Sequence, residues 1–173
     1  MSFSSRVKEE LSYQTGSAMH CRIAEIAAIL SMCGQIFQEE DGKVSIKIQT
    51  ENLAVARKYF TLLKKTYNID VDICIRSHIH TGKSRTYILE VTDDYAARKI
   101  LSSVKFMNGD GEIEEDYAIV HSMVLRKACC KRAFLRGLFL CAGSISEPEK
   151  TYHFEIVCGT PERAQQICDM MKT

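Results

Sequence analysis

The chain has 173 residues, 46% of them hydrophobic and 26% charged, and its 23 Lys and Arg against 22 Asp and Glu leave a net charge of +1. This composition excludes a disordered chain and suffices for one substantial core, while the near-neutral balance lacks the basic excess of a domain that grips nucleic acid unaided. The sequence has no apolar run of about 18 residues to span a bilayer, and its opening MSFSSRVKEELS lacks the apolar core of a signal peptide.

Periodicity predicts a short helix over 4–13, capped by Ser4 or Ser5, and a longer one from about Ser17 to Cys33. In the longer helix Ile23, Ile26, Ala27 and Leu30 form one apolar stripe, and Gly34 ends it. After the Asp41-Gly42 turn, Val44, Ile46 and Ile48 alternate with Ser45, Lys47 and Gln49, which predicts a half-buried strand paired with residues 35–39 in a hairpin. Asn52 then caps a helix expected to bury Leu53, Ala56, Phe60 and Leu63. In a second hairpin, Ile69, Val71, Ile73 and Ile75 alternate with Asp70, Asp72, Cys74 and Arg76, and residues 86–91 return after a turn containing Gly82. The next helix carries Ala97, Ile100, Leu101 and Val104 on one stripe. This αββαββα order, with one apolar face per strand, predicts an α+β unit whose antiparallel sheet is covered by helices on one face and open on the other.

Residues 105–120 are acidic and contain glycine, which reads as a linker, with a new helical stretch near Ala118. Beyond it the chain repeats itself. Aligning Gly34 with Gly143 superposes RIAEIAAILSMCGQI on KRAFLRGLFLCAGSI, and a one-residue gap then matches Ile48 to Ile156, Asn52 to Thr160 and Ala56 to Ala164. The organisation is thus an N-terminal helix (1–16), a first repeat (17–104), the acidic linker (105–120) and a partial second repeat (121–173) without a second hairpin. Such a half-sheet leaves an unpaired edge, so the chain is expected to be a piece of a longer one.

The two repeat helices end in IAAILSMCG and LRGLFLCAG, and both resemble the LAGLIDADG signature of homing endonucleases in register. The signature works by close packing, because small residues at the crossing let two helices approach backbone to backbone. Ala27, Ala28, Gly34, Gly137 and Gly143 are the candidates for that crossing. The resemblance implies that the residue before each terminal glycine is the catalytic acid of an active enzyme; here those positions are Cys33 and Ala142. A thiol and a methyl group cannot replace carboxylates on magnesium, so no nuclease chemistry is expected. The opening SFSSRVKEELS, the block CCKRAFLRGLFLCAGSIS and the stretch PEKTYHFEI further resemble the WhiA family of sporulation and cell-division regulators. That resemblance implies a cytoplasmic, nucleoid-associated transcription regulator. It also implies that a carboxy-terminal helix-turn-helix domain, outside this sequence, carries most of the DNA contact.

Two surfaces are candidates for auxiliary DNA contact. Arg126, Lys127, Lys131, Arg132 and Arg136 occupy a stretch with no acid between His121 and Ser146, suited either to phosphates or to pairing with the acidic run Asp110, Glu112, Glu114, Glu115 and Asp116. On the open sheet face Lys47, Gln49, Arg76, Lys83 and Arg85 suit DNA, whereas Asp70, Asp72 and Glu90 are expected there too and repel phosphate. Ile88 is expected to be exposed on that face as part of a protein-contact patch.

No cofactor, metal or small-molecule substrate is indicated. The eight cysteines include no C-x-x-C pair, vicinal Cys129 and Cys130 do not fit one tetrahedral zinc comfortably, and buried inert thiols are expected. His78 and His80 can share one side of a strand end but lack a third ligand, and Ser144 and Ser146 sit outside any G-x-S-x-G elbow. The sequence therefore points to a non-catalytic scaffold and protein-contact module of a DNA-binding regulator. The alternative is an auxiliary DNA-binding module with weak, salt-sensitive affinity, and an active endonuclease ranks last.

Overall fold

The computed structural model describes residues 1–78, 80, 84–116 and 119–172. Helix α1 (Phe3–Tyr13) is capped by Ser2, whose hydroxyl accepts from the Ser5 amide, and α2 (Met19–Cys33) follows. Residues 24–31 of α2 are buried all round the helix, because it lies between a sheet and a second helix. Gly34 turns it into β1 (Gly34–Gln38), which pairs with β2 (Val44–Thr50). Helix α3 (Leu53–Tyr67) is capped by Asn52, and β3 (Asp72–Ser77), β4 (Arg85–Val91) and α4 (Asp94–Ser103) complete the first unit.

The four strands form one antiparallel sheet in the order β1-β2-β4-β3. Val44, Ile46, Ile48, Leu89 and Val91 point from its two central strands into the core beneath α2, α3 and α4. Asp94 fastens α4 to the sheet: its carboxylate accepts the Val44 amide at 2.8 Å and the Arg98 guanidinium at 3.0 Å. The Val44 amide first, and the Arg98 charge after it, hold the Asp94 carboxyl below its ordinary value.

Three expectations on local burial change here. The inward face of α3 is Val55, Lys58, Tyr59, Leu62 and Leu63, while Leu53 and Phe60 are exposed. The strand predicted from Ile69 begins at Asp72, and its Ile73 and Ile75 are about half exposed although they face the helix side. The reason is position: β3 is an edge strand, and among the described residues its principal contact is with β4 and not with a helix. Ile88 is only 3% exposed, because it stands on central strand β4 between Gln49 and Cys74 of its two neighbours.

Residues 105–116 pack against the first unit through Phe106 and Met107, both buried, with Met107 bridging Ile113. The helical stretch expected near Ala118, itself outside the described residues, begins later, as a single 3-10 turn (Ser122–Leu125) before α5 (Ala128–Ala142). Gly143 then opens β5 (Gly143–Ile145), which pairs with β6 (Phe154–Ile156), and Thr160 caps α6 (Pro161–Met171). The second unit copies the first in register: Gly34 faces Ile48 and Gly143 faces Ile156.

Candidate functional site

Helices α2 and α5 form the principal helix–helix contact of the chain. At their closest approach a Cβ added to Gly137 would lie 2.7 Å from the Ala28 Cβ and 2.9 Å from the Glu25 carbonyl oxygen. Ala28 and Gly137 thus meet at the crossing, with Ala27 fully buried beside them. Gly34 and Gly143 have a different task. A Cβ at Gly34 would fall 2.4 Å from the Leu30 carbonyl oxygen and one at Gly143 2.1 Å from the Phe139 ring, so each glycine lets a helix fold sharply into its strand.

Beside the crossing lies a buried ionic cluster. Glu25, with no exposure, receives Lys58 Nζ at 3.0 Å and the Arg136 guanidinium through two bonds of 3.1 and 3.0 Å. Lys58 also donates to the Leu11 carbonyl at 2.8 Å and to the Gln14 carbonyl at the end of α1. Burial lowers the Lys58 pKa, against which Glu25 works to keep the charge. One carboxylate therefore links α2, α3 and α5, and Lys58 adds α1. Arg136, read from sequence as a candidate phosphate ligand or a partner for the acidic run, is turned inward to Glu25 instead.

Cys33 and Ala142 end the two helices. The Cys141 side chain hydrogen-bonds Cys33, which holds the Cys33 thiol below its usual pKa and, with burial, pushes Cys141 well above it. Arg163 of α6 reaches the same end, bonding Met32 Sδ at 2.8 Å and the Ser31 carbonyl. Among the described residues, no group of three or more His, Cys, Asp or Glu side chains converges on these tips.

The opposite ends differ. His20 and Cys21 in the first turn of α2 face Cys129 and Cys130 in the first turn of α5, and their four potential ligand atoms lie within 4.8 Å of one another. His20 Nδ1 is 3.4 Å from the Cys21 sulfur, 3.9 Å from that of Cys129 and 3.3 Å from that of Cys130. The expectation that vicinal Cys129 and Cys130 do not fit one tetrahedral zinc comfortably considered one helix alone; with a dipeptide from each helix, the four potential ligand atoms converge. Burial and the neighbouring thiols push Cys21 up to about 11, while its hydrogen bond to Cys129 holds the latter below the usual thiol value.

The strand register decides the open face. Lys47 stands beside Glu90, and Glu90 beside Asp72, in one row; Gln49, Ile88 and Cys74 form the next, and Thr86 with Arg76 the last. Arg85 pairs with Ser77, one residue out of phase with Arg76, so its side chain leaves from the helix side and not the open face. Asp70 is also elsewhere, before β3 and ion-paired to Lys64 of α3 at 2.8 Å. Lys83 lies outside the described residues. His78 bonds the Thr86 hydroxyl at 3.0 Å, and His80 is exposed. Exposed Arg126, Lys127 and Arg132, with Lys131 half-buried, gather at the start of α5. That end is about 20 Å along the 15-residue helix from the start of β5, so the cluster lies away from the β5–β6 hairpin.

Two glycine-ended helices packed at a small-residue crossing, each feeding an antiparallel hairpin, define a LAGLIDADG-like protein. Two family models match: the WhiA N-terminal LAGLIDADG-like domain over residues 19–107 and the WhiA LAGLIDADG-like domain over 131–173. The chain belongs to the WhiA family. The probable cell division protein WhiA of Lachnoclostridium phytofermentans is 47% identical, the match covering 100% of this chain and 55% of the relative; that of Bacillus cytotoxicus is 36% identical over 99% and 52%. The chain spans about half the length of the curated relatives it matches. Among solved structures, the N-terminal LAGLIDADG domain of DUF199/WhiA matches with a TM-score of 0.67 at 22% identity, covering 99% of this chain and 73% of that one. Full-length DUF199/WhiA from Thermatoga maritima gives 0.65 at 20%, over 99% and 50%. Among the described residues no helix is long and apolar enough to cross a membrane.

Proposed function

We propose that this chain is a non-catalytic LAGLIDADG-like module that acts as a scaffold and protein-contact surface within a DNA-binding regulator of cell division. What supports this reading is the chemistry of the two helix ends: Cys33 and Ala142, which the LAGLIDADG resemblance aligns with metal-holding acids, close α2 and α5, and Cys141 hydrogen-bonds Cys33 there. Hard divalent ions need oxygen ligands, which these side chains do not offer. Sequence readout then belongs to a helix-turn-helix elsewhere in the full-length protein. Surface for partners is available at the edge strand, where Ile73 and Ile75 replace the expected Ile88 as exposed apolar side chains.

A second reading, auxiliary DNA binding, draws on exposed Arg76, Arg126, Lys127 and Arg132. Asp72 and Glu90 in the Lys47 row oppose it. The expected affinity for arbitrary duplex at physiological salt is weak, with Kd on the order of 10⁻⁶ M or higher. A salt titration of full-length protein separates the readings. On the first, neutralising Lys47, Arg76, Arg126, Lys127 and Arg132 to glutamine leaves the slope of log K against log salt unchanged. On the second, each lost phosphate contact makes that slope shallower by about 0.9.

A further inference from the structure

The geometry points to a metal site for a soft divalent cation of the zinc class, held by His20, Cys21, Cys129 and Cys130. Zinc–sulfur bonds of about 2.3 Å and zinc–nitrogen bonds of about 2.0–2.1 Å in a tetrahedron place ligand atoms roughly 3.5–3.8 Å apart. The His20 Nδ1 distances to the three sulfurs, 3.4, 3.9 and 3.3 Å, match those edges within the reach of a small side-chain rotation. One histidine with three cysteines is a complete ligand set for a closed, structural zinc site, and it leaves no open coordination position for catalysis.

The placement follows from the repeat. Cys129 lies 109 residues after His20, the same offset that separates Gly143 from Gly34, so the two dipeptides occupy equivalent positions in equivalent helices. Packing α2 against α5 necessarily brings these equivalent first turns together. Neither helix has a side-chain N-cap, unlike α1, α3, α4 and α6, so the positive end of each helix dipole faces the ligand cluster and complements metal-bound sulfur. A zinc ion with three thiolates and a neutral imidazole carries a net charge of −1, and Lys105, Arg126 and Lys127 line the adjoining cavity. These cations complement it. The bound ion would cross-link the start of the first repeat to the start of the second, at the end of the helix pair remote from Cys33 and Ala142.

The test is metal content of the untagged 173-residue chain, purified without chelator from zinc-supplemented medium, followed by replacement of zinc with cobalt(II). One zinc per chain, and tetrahedral cobalt bands with thiolate-to-cobalt charge transfer, are expected. His20→Ala and Cys129→Ser change the less buried ligands and are expected to weaken zinc binding by more than about 100-fold, beyond the cost of outer-sphere changes. Cys74→Ser and Cys168→Ser, at exposed and distant thiols, keep the zinc and the spectrum. A metal-free chain overturns the proposal, whether its thiols are free or Cys21 is joined to Cys129 or Cys130 in a disulfide. So does zinc that survives both ligand substitutions, or that is lost from the Cys74 and Cys168 variants.

Discussion

Glu25→Ala is expected to destabilise the fold by about 3–5 kcal/mol, the cost of leaving a buried cation without its counter-charge. Lys58 has no exposure, and its remaining partners after the substitution are two neutral carbonyls at the end of α1. Arg136 is 23% exposed and can turn to water, so Lys58 bears most of the loss. Urea denaturation followed by circular dichroism measures it; with a slope of about 2 kcal/mol/M the midpoint falls by roughly 2 M. Replacing Glu25, Lys58 and Arg136 together by methionine is expected to recover much of the loss, since apolar groups of similar volume often match a buried ionic cluster. A change below 1 kcal/mol for Glu25→Ala would show that the cluster is solvated.

Gly137→Ala reverses the usual sign of its class. Alanine in a helix interior normally gains about 1 kcal/mol over glycine. Here the new methyl group meets the Ala28 Cβ at 2.7 Å and the Glu25 carbonyl at 2.9 Å, neither of which is the movable end of a long side chain. Helices α2 and α5 must separate, and overpacking of this kind costs about 1–3 kcal/mol. Gly137→Leu exceeds that range, because its larger side chain would also displace Arg136 from Glu25. Adding Ala28→Gly to Gly137→Ala removes the tighter contact and is expected to restore part of the stability. The same urea midpoints report it, and a stabilised Gly137→Ala protein would refute close packing at this crossing.

The double helix–hairpin pattern was legible because its signals are local: a glycine after each apolar helix, then alternation, then an Asn or Thr cap. What escaped depends on residues far apart in sequence. Lys58 reads as surface until Glu25 and the end of α1 are placed around it, so periodicity alone puts the inward face of α3 around Phe60. Ile73 and Ile75 alternate as core residues do, but only the strand order shows them at an edge. Arg85 fell on the wrong side because its phase relative to Arg76 is set by cross-strand pairing. The thiol cluster has no C-x-x-C spacing because its residues come from two dipeptides 109 positions apart. The available signal was the repeat itself, which aligns His20-Cys21 with Cys129-Cys130.

That helix pair also decides the chemistry. On the proposed reading, its Cys33 and Ala142 ends, where Cys141 hydrogen-bonds Cys33, stand at the positions that the LAGLIDADG resemblance assigns to metal-holding acids. The direct measurement is incubation of supercoiled plasmid with the purified chain and magnesium or manganese, read by agarose gel. The plasmid is expected to remain supercoiled at stoichiometric protein; nicking that requires the ion and follows the chain through a final gel-filtration step would contradict a non-catalytic module.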